Sequence, residues 1–469
     1  MHVGKTRIET DSMGQMTVPA DALYGAGTAR AVENFPVSGW RMPRLFLAAL
    51  GLIKQACARA HKDAGRLDAD KADAIIAAAG EVIDGKLDDQ FPVDVFQTGS
   101  GTSTNMNANE VIANRAIEIL GGKAGDKSLV HPNDHVNLGQ SSNDVIPAAM
   151  HISAAVAIHH ELVQVLRKLQ RVLEEKAQQF DPVVKIGRTH LMDAVPVRMG
   201  QIFGGYAAQV SNVLGTLGHA VGRLCELPLG GTAVGTGLNA PKGFAKEVCR
   251  LIAGNTSLPF EEAGNHFEAQ GARDAALVAS AALRSTAIAL GRIASDIRLM
   301  GSGPRCGLGE LQLPAVQPGS SIMPGKVNPV ICESVIQVAC QVVGCDAAIA
   351  AGCTGGVGSV LELNVAMPMI AANLLNAAHL LTGATQVFMD KCLVGLRANA
   401  ERCGQLVEQS LAMVTALAPR LGYDRAAEVA KQAQAEGKTI REVCLEKKLL
   451  SAKELDELLD ARKQTGVIK

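Results

Sequence analysis

Apolar residues recur at three- and four-residue steps through the middle of the chain. Over residues 161–180 they form one stripe, made by Leu162, Val165, Leu166, Leu169, Val172 and Leu173. This spacing predicts a helix with one buried face, and Asp181-Pro182 ends it because a residue before proline avoids the helical region. Similar stretches predict helices over 206–225, 274–300, 334–351 and 369–381. Five long helices in one region indicate a bundle.

Two of these helices carry further information. Arg284, Arg292 and Arg298 interrupt the helix over 274–300, so one of its faces must meet water, a carboxylate or a neighbouring subunit. The helix over 369–381 is apolar nearly all round. Such a helix needs partners on every side, and we therefore expect a homo-oligomer with the bundle at its centre.

Changes in composition divide the chain near residues 138 and 393. The first part mixes short proline-containing segments with helical stretches such as 45–64 and 107–120. Near the other end, Ser451 stands three residues before Glu454, a capping-box spacing that predicts a short final helix. The chain is therefore predicted to be mainly α, with a mixed, mostly helical N-terminal domain over 1–138, a central five-helix bundle over 139–393 and a small C-terminal helical domain over 394–469.

Composition agrees with a closely packed helical protein. Only 10 Phe, 3 Tyr and 1 Trp occur among 469 residues, although 48% of the residues are hydrophobic. An all-β protein usually relies on aromatic and β-branched residues, whereas small aliphatic residues favour helix packing. The 45 basic and 46 acidic residues leave a net charge of -1 and no basic block, which argues against nucleic acid or an anionic membrane as a partner.

The eleven cysteines show no CxxC pair and no regular spacing, which favours reduced thiols in a cytoplasmic protein. Cys340, Cys345 and Cys353 are the closest cluster, but their spacing matches no run that holds an iron-sulfur centre. The N-terminus has neither an apolar core segment nor an Arg/Ser-rich pattern, so no targeting peptide is predicted. The uncharged stretch over 363–389 is interrupted by polar residues, so it predicts a core helix and no membrane span.

Three stretches combine glycine with hydroxyl and amide side chains: 98–109 (TGSGTSTNMNAN), 139–144 (GQSSND) and 318–329 (PGSSIMPGKVNP). Each offers many neutral hydrogen-bond donors, which suit a small polyoxygenated anion held by oriented dipoles. Helix capping is the simpler explanation for any one stretch alone. Three such stretches in one chain favour a binding site.

Other motifs are rejected on spacing. Residues 319–326 have five residues between the glycines where a phosphate-binding loop needs four, and residues 235–240 fit a dinucleotide fingerprint but follow no apolar strand. His131 and His135 lie four apart, as zinc ligands would, but no third ligand is obvious. The sequence therefore predicts no metal.

His190 is a candidate general acid or base. It follows Thr189 in a polar segment that we expect to be a loop leading into another helix, and a histidine pKa lies near working pH. A structural histidine is the competing interpretation of this residue taken alone.

These motifs together resemble the fumarase/aspartase superfamily. GSSIMPGKVNP at 319–329 is similar to its signature loop, and four further blocks stand in the same order and spacing: TGSGTSTNMNANE from residue 98, HPNDHVNLGQSSND from 131, GRTHLMDAVP from 187 and LGGTAVGTGLN from 229. The resemblance runs from about Arg7 to the C-terminal helices. It is closest to class II fumarate hydratases, because aspartases typically carry glutamine in place of His190 and alanine in place of Gly325.

The resemblance implies reversible hydration of fumarate to L-malate in the tricarboxylic acid cycle, through an aci-carboxylate intermediate and without metal or other cofactor. It also implies a homotetramer with active sites shared between subunits. Two alternatives stay open: an aspartate ammonia-lyase or another lyase of the superfamily, and a non-enzymatic scaffold. His190 argues against the first. The scaffold predicts loss of Ser320, Lys326 or His190, and all three are present.

By analogy with the family, Ser320 is the carbon base, while His190, oriented by Glu333, handles the proton of the hydroxyl group. The implied substrate-binding residues are Ser100, Thr102, Ser141, Ser142, Asn143, Thr189, Ser321, Lys326 and Asn328. His131, Asn133 and Asp134 match a second dicarboxylate region of the family. Gly27 stands where relatives usually have a side-chain amide, and we expect its small size to loosen the N-terminal segment.

Overall fold

The computed structural model describes residues 5–466, and it is mainly helical. Helix accounts for 61% of the residues and strand for 9%, which confirms the predicted fold class. A core of aliphatic side chains with few aromatic rings is compatible with this content, because small residues let helices approach closely.

The strands are short and pair two by two. They are β1 (Thr6–Asp11), β2 (Gly14–Pro19), β3 (Val184–Thr189), β4 (Met192–Arg198), β5 (Glu226–Leu227), β6 (Glu261–Glu262), β7 (Leu311–Gln312), β8 (Ser359–Val360), β9 (Leu363–Asn364) and β10 (Arg397–Ala398). The pairs are β1 with β2, β3 with β4, β7 with β10 and β8 with β9, all antiparallel, and β5 with β6, which is parallel.

The helices of the first half are α1 (Ala26–Asn34), α2 (Arg44–Asp63), α3 (Ala69–Ile83), α4 (Thr102–Ile119), α5 (Ser142–Val156), α6 (Val163–Phe180), α7 (Met199–Leu224), α8 (Phe244–Thr256) and α9 (His266–Gly271). Those of the second half are α10 (Asp274–Met300), α11 (Val330–Cys353), α12 (Met367–Phe388), α13 (Ala400–Gln409), α14 (Ala418–Leu421), α15 (Tyr423–Glu436), α16 (Ile440–Glu446) and α17 (Ala452–Leu458). Short 3-10 or π-helical turns cover Asp88–Gln90, Pro132–Val136, Ala157–Leu162, Met389–Leu393 and Leu411–Leu417.

The five long helices predicted from the apolar pattern are all present as α6, α7, α10, α11 and α12. The bounds of α10 agree with the prediction, whereas α7 begins seven residues earlier, at Met199, directly after β4. The run that contains α6 also begins earlier, because the π-helical turn Ala157–Leu162 joins it to α5. The short final helix is confirmed too: Ser451 and Glu454 form the capping box of α17.

The chain forms two compact units. Unit 1 comprises Met1–Gln164, Gly215–Ala287 and Cys340–Thr382, and unit 2 comprises Val165–Leu214, Ile288–Ala339 and Gly383–Lys469. The three predicted domains, with limits near 138 and 393, remain a prediction.

In unit 1, α2 packs against α3 and α5. The fully buried side chains there include Phe46, Leu50, Ile53, Ile75, Ile146 and Met150. Gly51 permits the close approach of α2 and α3, because a Cβ atom at this position would lie 3.0 Å from the Ala79 carbonyl oxygen. This tight packing gives the polar loops of unit 1 a rigid support.

In unit 2, the C-terminal helices enclose a core of their own. Its buried members include Val407, Met413, Leu417, Val429, Ile440, Val443 and Leu455, and Ile186 of β3 packs into the same cluster. The β3–β4 hairpin is therefore fixed at its base by the C-terminal helices.

Two of the three arginines of α10 contact carboxylates, which is one of the three outcomes that the charge pattern left open. Arg284 pairs with Asp346 at 2.6 Å, and Arg292 lies 3.6 Å from Asp296. The first contact lies within unit 1 and the second within unit 2.

The helices α10 and α11 are long and apolar enough to cross a membrane by length and composition. Core helices of soluble proteins pass the same test, so this finding is weak evidence for a span. In the most apolar 18-residue window of each helix, the buried share is 56% for α10 but only 33% for α11. The single chain therefore leaves much of α11 uncovered.

The N-terminal segment is held by one buried carboxylate. Glu110 accepts backbone N–H groups from Gly25 and Gly27 at 2.8 Å each and from Thr28 at 3.1 Å, and also the Thr28 hydroxyl at 2.6 Å. A Cβ atom on Gly27 would stand 2.9 Å from the Glu110 Oε1 atom. The expectation that Gly27 loosens this segment is thus corrected, because its missing side chain leaves room for the carboxylate.

Replacing Glu110 with Ala should therefore destabilise the protein by about 3 kcal/mol, because buried N–H groups would lose their acceptor. Urea unfolding of the variant and the wild type measures this difference. Glu118→Ala is the matched control on the same helix, since Glu118 makes an exposed pair with Arg115 and should cost below about 1 kcal/mol. Equal losses in the two variants would contradict the assignment.

Candidate active site

The first polar stretch, residues 98–109, runs into α4, which begins at Thr102. Ser100 is buried, and its hydroxyl lies 2.8 Å from that of Thr102. Gly101 has a φ of +72°, and a Cβ atom there would meet Ile146 at 2.8 Å, so only glycine fits this turn. Two predicted substrate-binding hydroxyls are thereby brought together at the N-terminus of an 18-residue helix, where backbone N–H groups favour an anion.

The second polar stretch forms the N-terminus of α5. Ser141 caps the helix and accepts the Asn143 backbone N–H at 3.2 Å, while the Ser141 N–H donates to Asp144 at 2.9 Å. Asp144 is fully buried and also accepts the N–H groups of Gly230 and Thr232 at 3.1 and 3.0 Å. Burial raises the pKa of Asp144, and these backbone N–H groups oppose the rise. One carboxylate therefore holds two loops together.

Neighbouring side chains complete this region. The Asn143 side-chain amide donates to the Ala233 carbonyl at 2.8 Å, and that of Asn105 donates to the Ser142 hydroxyl at 3.1 Å. Asn105 belongs to α4 and Ser142 to α5, so the starts of the two helices are cross-linked by polar side chains. The capping explanation is confirmed for Ser141, whereas substrate binding by Ser141, Ser142 and Asn143 stays a prediction.

Sequence reasoning missed Lys54, which lies under this loop. Its side chain is fully buried, and its ammonium donates to the side-chain oxygens of Asn137 and Gln140 at 2.9 Å each. Burial lowers the pKa of Lys54 to about 8. A signal was present, because Lys54 is the one charged residue in the apolar run over 45–58.

The residues predicted to form a second dicarboxylate region lie at a π-helical turn, Pro132–Val136. His131 caps it: its Nδ1 atom accepts the N–H groups of Asn133 and Asp134 at 3.2 Å each. The backbone N–H of His131 donates to Nδ1 of His135 at 2.8 Å, so the Nδ1 atoms of both imidazoles accept backbone N–H groups and are not free to bind zinc. Over residues 5–466, no group of three or more histidine, cysteine or carboxylate side chains is arranged to hold a metal.

A cavity of about 580 Å³ in unit 1 joins parts of these loops. Its lining residues include Arg66, Asn133, Asp134, Ser141, Thr232 and Asn239. The structure thus brings Asn133 and Asp134, predicted for the second region, to the same cavity as Ser141. Arg66 is its cationic side chain, and the sequence reasoning did not single it out.

In unit 2, His190 lies at the tip of the β3–β4 hairpin. Thr189 pairs with Met192, and the two residues between them, His190 and Leu191, have φ of +57° and +62°. These values define a type I′ turn, which normally takes Asn-Gly. The expected loop leading into a helix is thus a hairpin, with β4 before α7. A left-handed backbone costs about 1–2 kcal/mol per non-glycine residue, and strain of this kind is concentrated at functional sites.

The signature loop closes on itself through backbone contacts. The Gly319 N–H donates to the Lys326 carbonyl at 2.7 Å, and the Asn328 side-chain amide donates to the Gly319 carbonyl at 2.7 Å. Inside the loop, the Ser320 hydroxyl oxygen accepts the N–H groups of Ile322 and Met323 at 3.2 and 3.1 Å. Two backbone dipoles therefore point at the oxygen predicted to be the base.

The remaining predicted residues of unit 2 are less constrained. Ser321 and Lys326 are exposed, and Glu333 lies in the first turn of α11. Within residues 5–466, no hydrogen bond joins Glu333 to His190. That Glu333 orients His190 therefore stays a prediction, which the single chain does not test.

Comparison with known proteins covers nearly the whole chain. A family model described as lyase matches residues 14–344, and one described as the C-terminus of fumarase C matches residues 413–466. The chain is 55% identical over 459 residues to a class II fumarate hydratase of Halobacterium salinarum, which covers 98% of this chain and 97% of the relative. It is 52% identical over 451 residues to that of Thermosynechococcus vestitus, which covers 96% of both chains.

A solved structure shares the fold. The crystal structure of a class II fumarase from Schistosoma mansoni matches with a TM-score of 0.94 and 41% sequence identity, covering 98% of this chain and 99% of that one. The likeness in sequence and fold extends to both units.

The buried ammonium of Lys54 predicts a pH dependence. A lysine in an unfolded chain has a pKa of about 10.4, so between pH 8 and 10 the unfolded state holds this proton more tightly than the folded state. Stability should therefore rise with pH in this window, by up to about 3 kcal/mol relative to Lys54→Met, which has no proton to lose. Urea unfolding of both proteins from pH 7 to 10 measures the difference.

The control for this experiment is Lys168→Met, which removes an exposed lysine of α6. If the free energy of unfolding changed with pH in parallel for the wild type and Lys54→Met across this range, the buried charge of Lys54 would be contradicted.

Proposed function

Because this chain belongs to the class II fumarate hydratases of the fumarase/aspartase superfamily, we propose how its own residues perform the reversible hydration of fumarate to L-malate. The protein is a hydro-lyase. Removal of a proton next to a carboxylate builds an aci-carboxylate dianion, so the site must stabilise extra negative charge on oxygen. The assignments below follow that requirement.

The observation that carries the proposal is the environment of Ser320. An unassisted serine hydroxyl is too weak to remove a carbon-bound proton, so it must be activated. Two backbone N–H groups already donate to its oxygen, and they would stabilise the alkoxide without reorganisation. We assign the carbon base to Ser320, with the nearby cation Lys326 in the same loop as a further stabilising charge.

His190 is assigned to the proton of the hydroxyl group that leaves or arrives. Its exposed place at the hairpin tip lets the imidazole enter a site formed elsewhere, and Thr189 beside it would order the reacting water. Glu333 is the proposed partner that orients the ring. A histidine in this role contributes roughly 10²–10⁴ in rate.

The substrate carboxylates are assigned to the remaining donors. Lys326 and Asn328 hold one carboxylate, and the other donors are Ser100, Thr102, Ser141, Ser142, Asn143 and Ser321. Ser100 and Thr102 are supported by their place at the N-terminus of α4. His131, Asn133 and Asp134 form the proposed second dicarboxylate region. Asn133 and Asp134 are supported by the cavity that they line, and His131 by its cap on the same turn.

The protein is proposed to act as a homotetramer whose active sites are shared between subunits. Support comes from α11, whose exposed residues include Cys340, Val343, Gly344 and Ala347. These small or apolar side chains form a surface on which another helix can pack closely. We also propose that the enzyme is cytoplasmic, in line with its cysteines, which are all free. It is further proposed to act without a cofactor.

Replacing Ser320 with Ala should lower turnover of fumarate at least about 10²-fold, because the carbon base is lost, while L-malate still binds. Hydration is measured by fumarate absorbance and binding by calorimetry. Ser12→Ala, which removes an exposed hydroxyl in the β1–β2 turn, should keep wild-type turnover. Near-normal turnover of Ser320→Ala would remove this residue from the role of base.

The same assay separates the alternatives. Wild-type protein is offered fumarate, L-malate and aspartate, each with and without a chelator. Fumarate release from aspartate would identify an ammonia-lyase, and loss of activity with the chelator would contradict metal independence.

The oligomer is tested by replacing Ala347 with Arg. A charged side chain on the uncovered face of α11 should split the tetramer into smaller species and lower activity at least tenfold, because shared sites would be incomplete. Native mass spectrometry gives the subunit number. Ala435→Arg, on the exposed side of α15, is the matched control and should remain tetrameric. An intact tetramer in Ala347→Arg would contradict this interface.

A further inference from the structure

Glu310 has no role in the assignments above, yet it is the most completely buried carboxylate of unit 2. Its side chain is 0% exposed. Its backbone is fixed on both sides, since its N–H donates to the Met300 carbonyl and its carbonyl accepts the Asn399 N–H, both at 2.9 Å. A buried charge needs compensating partners, and those of Glu310 come from one strand.

Both partners are cations of β3. Arg188 Nη1 donates to Glu310 Oε1 at 2.8 Å, and Lys185 Nζ lies 3.3 Å from Glu310 Oε2. The two cationic side chains are 15% and 5% exposed, so water does little to screen the three charges. Burial lowers the pKa of Lys185, and the charge of Glu310 opposes this.

The geometry of β3 is adapted to this contact. In a regular strand, residues three apart point to opposite faces, so Lys185 and Arg188 would not meet the same carboxylate. The pairing of β3 with β4 shifts between Ile186 and Arg188, and such a bulge adds local twist. Gly187 makes the shift possible, because a Cβ atom there would stand 2.6 Å from the Val195 carbonyl oxygen.

The tip of the hairpin depends on this anchor. Arg188 is only two residues from His190, and the turn residues His190 and Leu191 hold left-handed backbone angles that the strands beneath them must enforce. Both turn residues are exposed, so the tip receives little support from packing within the chain. Beneath the last ladder pair, Thr189 with Met192, the side chain of β3 that is anchored nearest to the turn by an ion pair is Arg188, through Glu310.

We propose that Glu310 is a positioning residue for the reaction: through Arg188 and Lys185 it fixes the twist of β3 and so the placement of the His190 imidazole. This inference rests on the role of His190 proposed above. A displacement of about 1 Å at a reacting group can cost about 10²-fold in rate. The Glu310 side chain is 0% exposed and its charged partners are Lys185 and Arg188, so its effect on the reaction would pass through β3 to His190.

A double-mutant cycle tests this dependence in the full-length enzyme. His190→Asn should lower kcat at least about 10²-fold. Glu310→Gln, which keeps the shape but removes the charge, should lower kcat about 10- to 100-fold with KM within about twofold. In the double variant the loss should be no larger than in His190→Asn alone, because the residue being positioned is absent.

Two results overturn the inference in distinguishable ways. If the kcat loss of the double variant equalled the product of the two single losses, Glu310 would act independently of His190, and the proposed role of His190 would stay intact. Wild-type turnover in His190→Asn would overturn both the role of His190 and its positioning by Glu310.

Further variants guard against a merely structural loss. Asp181→Asn removes a carboxylate that pairs with Arg198 at 2.7 Å, at the other end of the same hairpin, and should keep kcat within about twofold. If Glu310→Gln fails to fold, Arg188→Gln breaks the same bond from its more exposed side, and Arg188→Lys should restore part of kcat. Equal kcat in the two Arg188 variants, or a kcat loss in Asp181→Asn as large as that in Arg188→Gln, would overturn the inference.

Discussion

The polar loops of this protein depend on buried carboxylates whose charge is balanced by groups from distant parts of the chain. Asp144 is the central case in unit 1: it completes the capping box of Ser141 and binds the N–H groups of Gly230 and Thr232. An uncompensated carboxylate in this position would cost several kcal/mol. The loops can therefore adopt few arrangements other than the one that satisfies it, and the hydroxyl and amide groups they carry are oriented as a consequence. Glu110 and Glu310 impose the same constraint on α1 and on the β3–β4 hairpin.

This organisation explains how a chain with a net charge of -1 suits a dianionic substrate. Oriented neutral donors stabilise negative charge where it develops, and they do so without a long-range positive field. Ser320 illustrates the principle, because the N–H groups that meet its oxygen belong to its own loop. Cations are used sparingly. Lys54 is buried beneath the 139–144 loop and acts through the side-chain oxygens of Asn137 and Gln140, so it orders the loop without lying on its surface.

Much of the fold was predictable, because long amphipathic helices leave a periodic apolar pattern. The helix α10 is bounded by residues that the pattern identified, and α17 by its capping box. The start of α5 was not predicted: Pro147 interrupts the sequence signal although it lies inside the helix. The β3–β4 hairpin was missed for a different reason. His190-Leu191 carries none of the Asn-Gly signal of a type I′ turn, so the turn is imposed by tertiary contacts that no local pattern records.

The sequence supplied candidate residues for the site but not their arrangement. Runs such as GQSSND and the signature loop stand out because their side-chain composition is unusual, and the roles assigned to them stay predictions. Glu310 gave no such signal, because a single carboxylate acquires meaning only when Lys185 and Arg188 meet it in space. Roles that need several subunits are harder still to predict, because a single chain indicates its neighbours only through the apolar surface that it leaves exposed.

The exposed apolar side chains bear on how the two segments proposed to carry catalysis, the hairpin tip and the signature loop, are completed. Leu191 at the hairpin tip is 75% exposed and Ile322 in the signature loop is 84% exposed, although burial of such a side chain contributes about 1.5–3 kcal/mol. Under the proposed assembly, these apolar residues meet surfaces of other subunits, and the same contacts exclude water from the charges beside them. Subunit association and completion of the active site are then one event. This coupling would explain why the His190 and Ser320 segments are exposed in the isolated chain, because a site formed within one chain could bury them there.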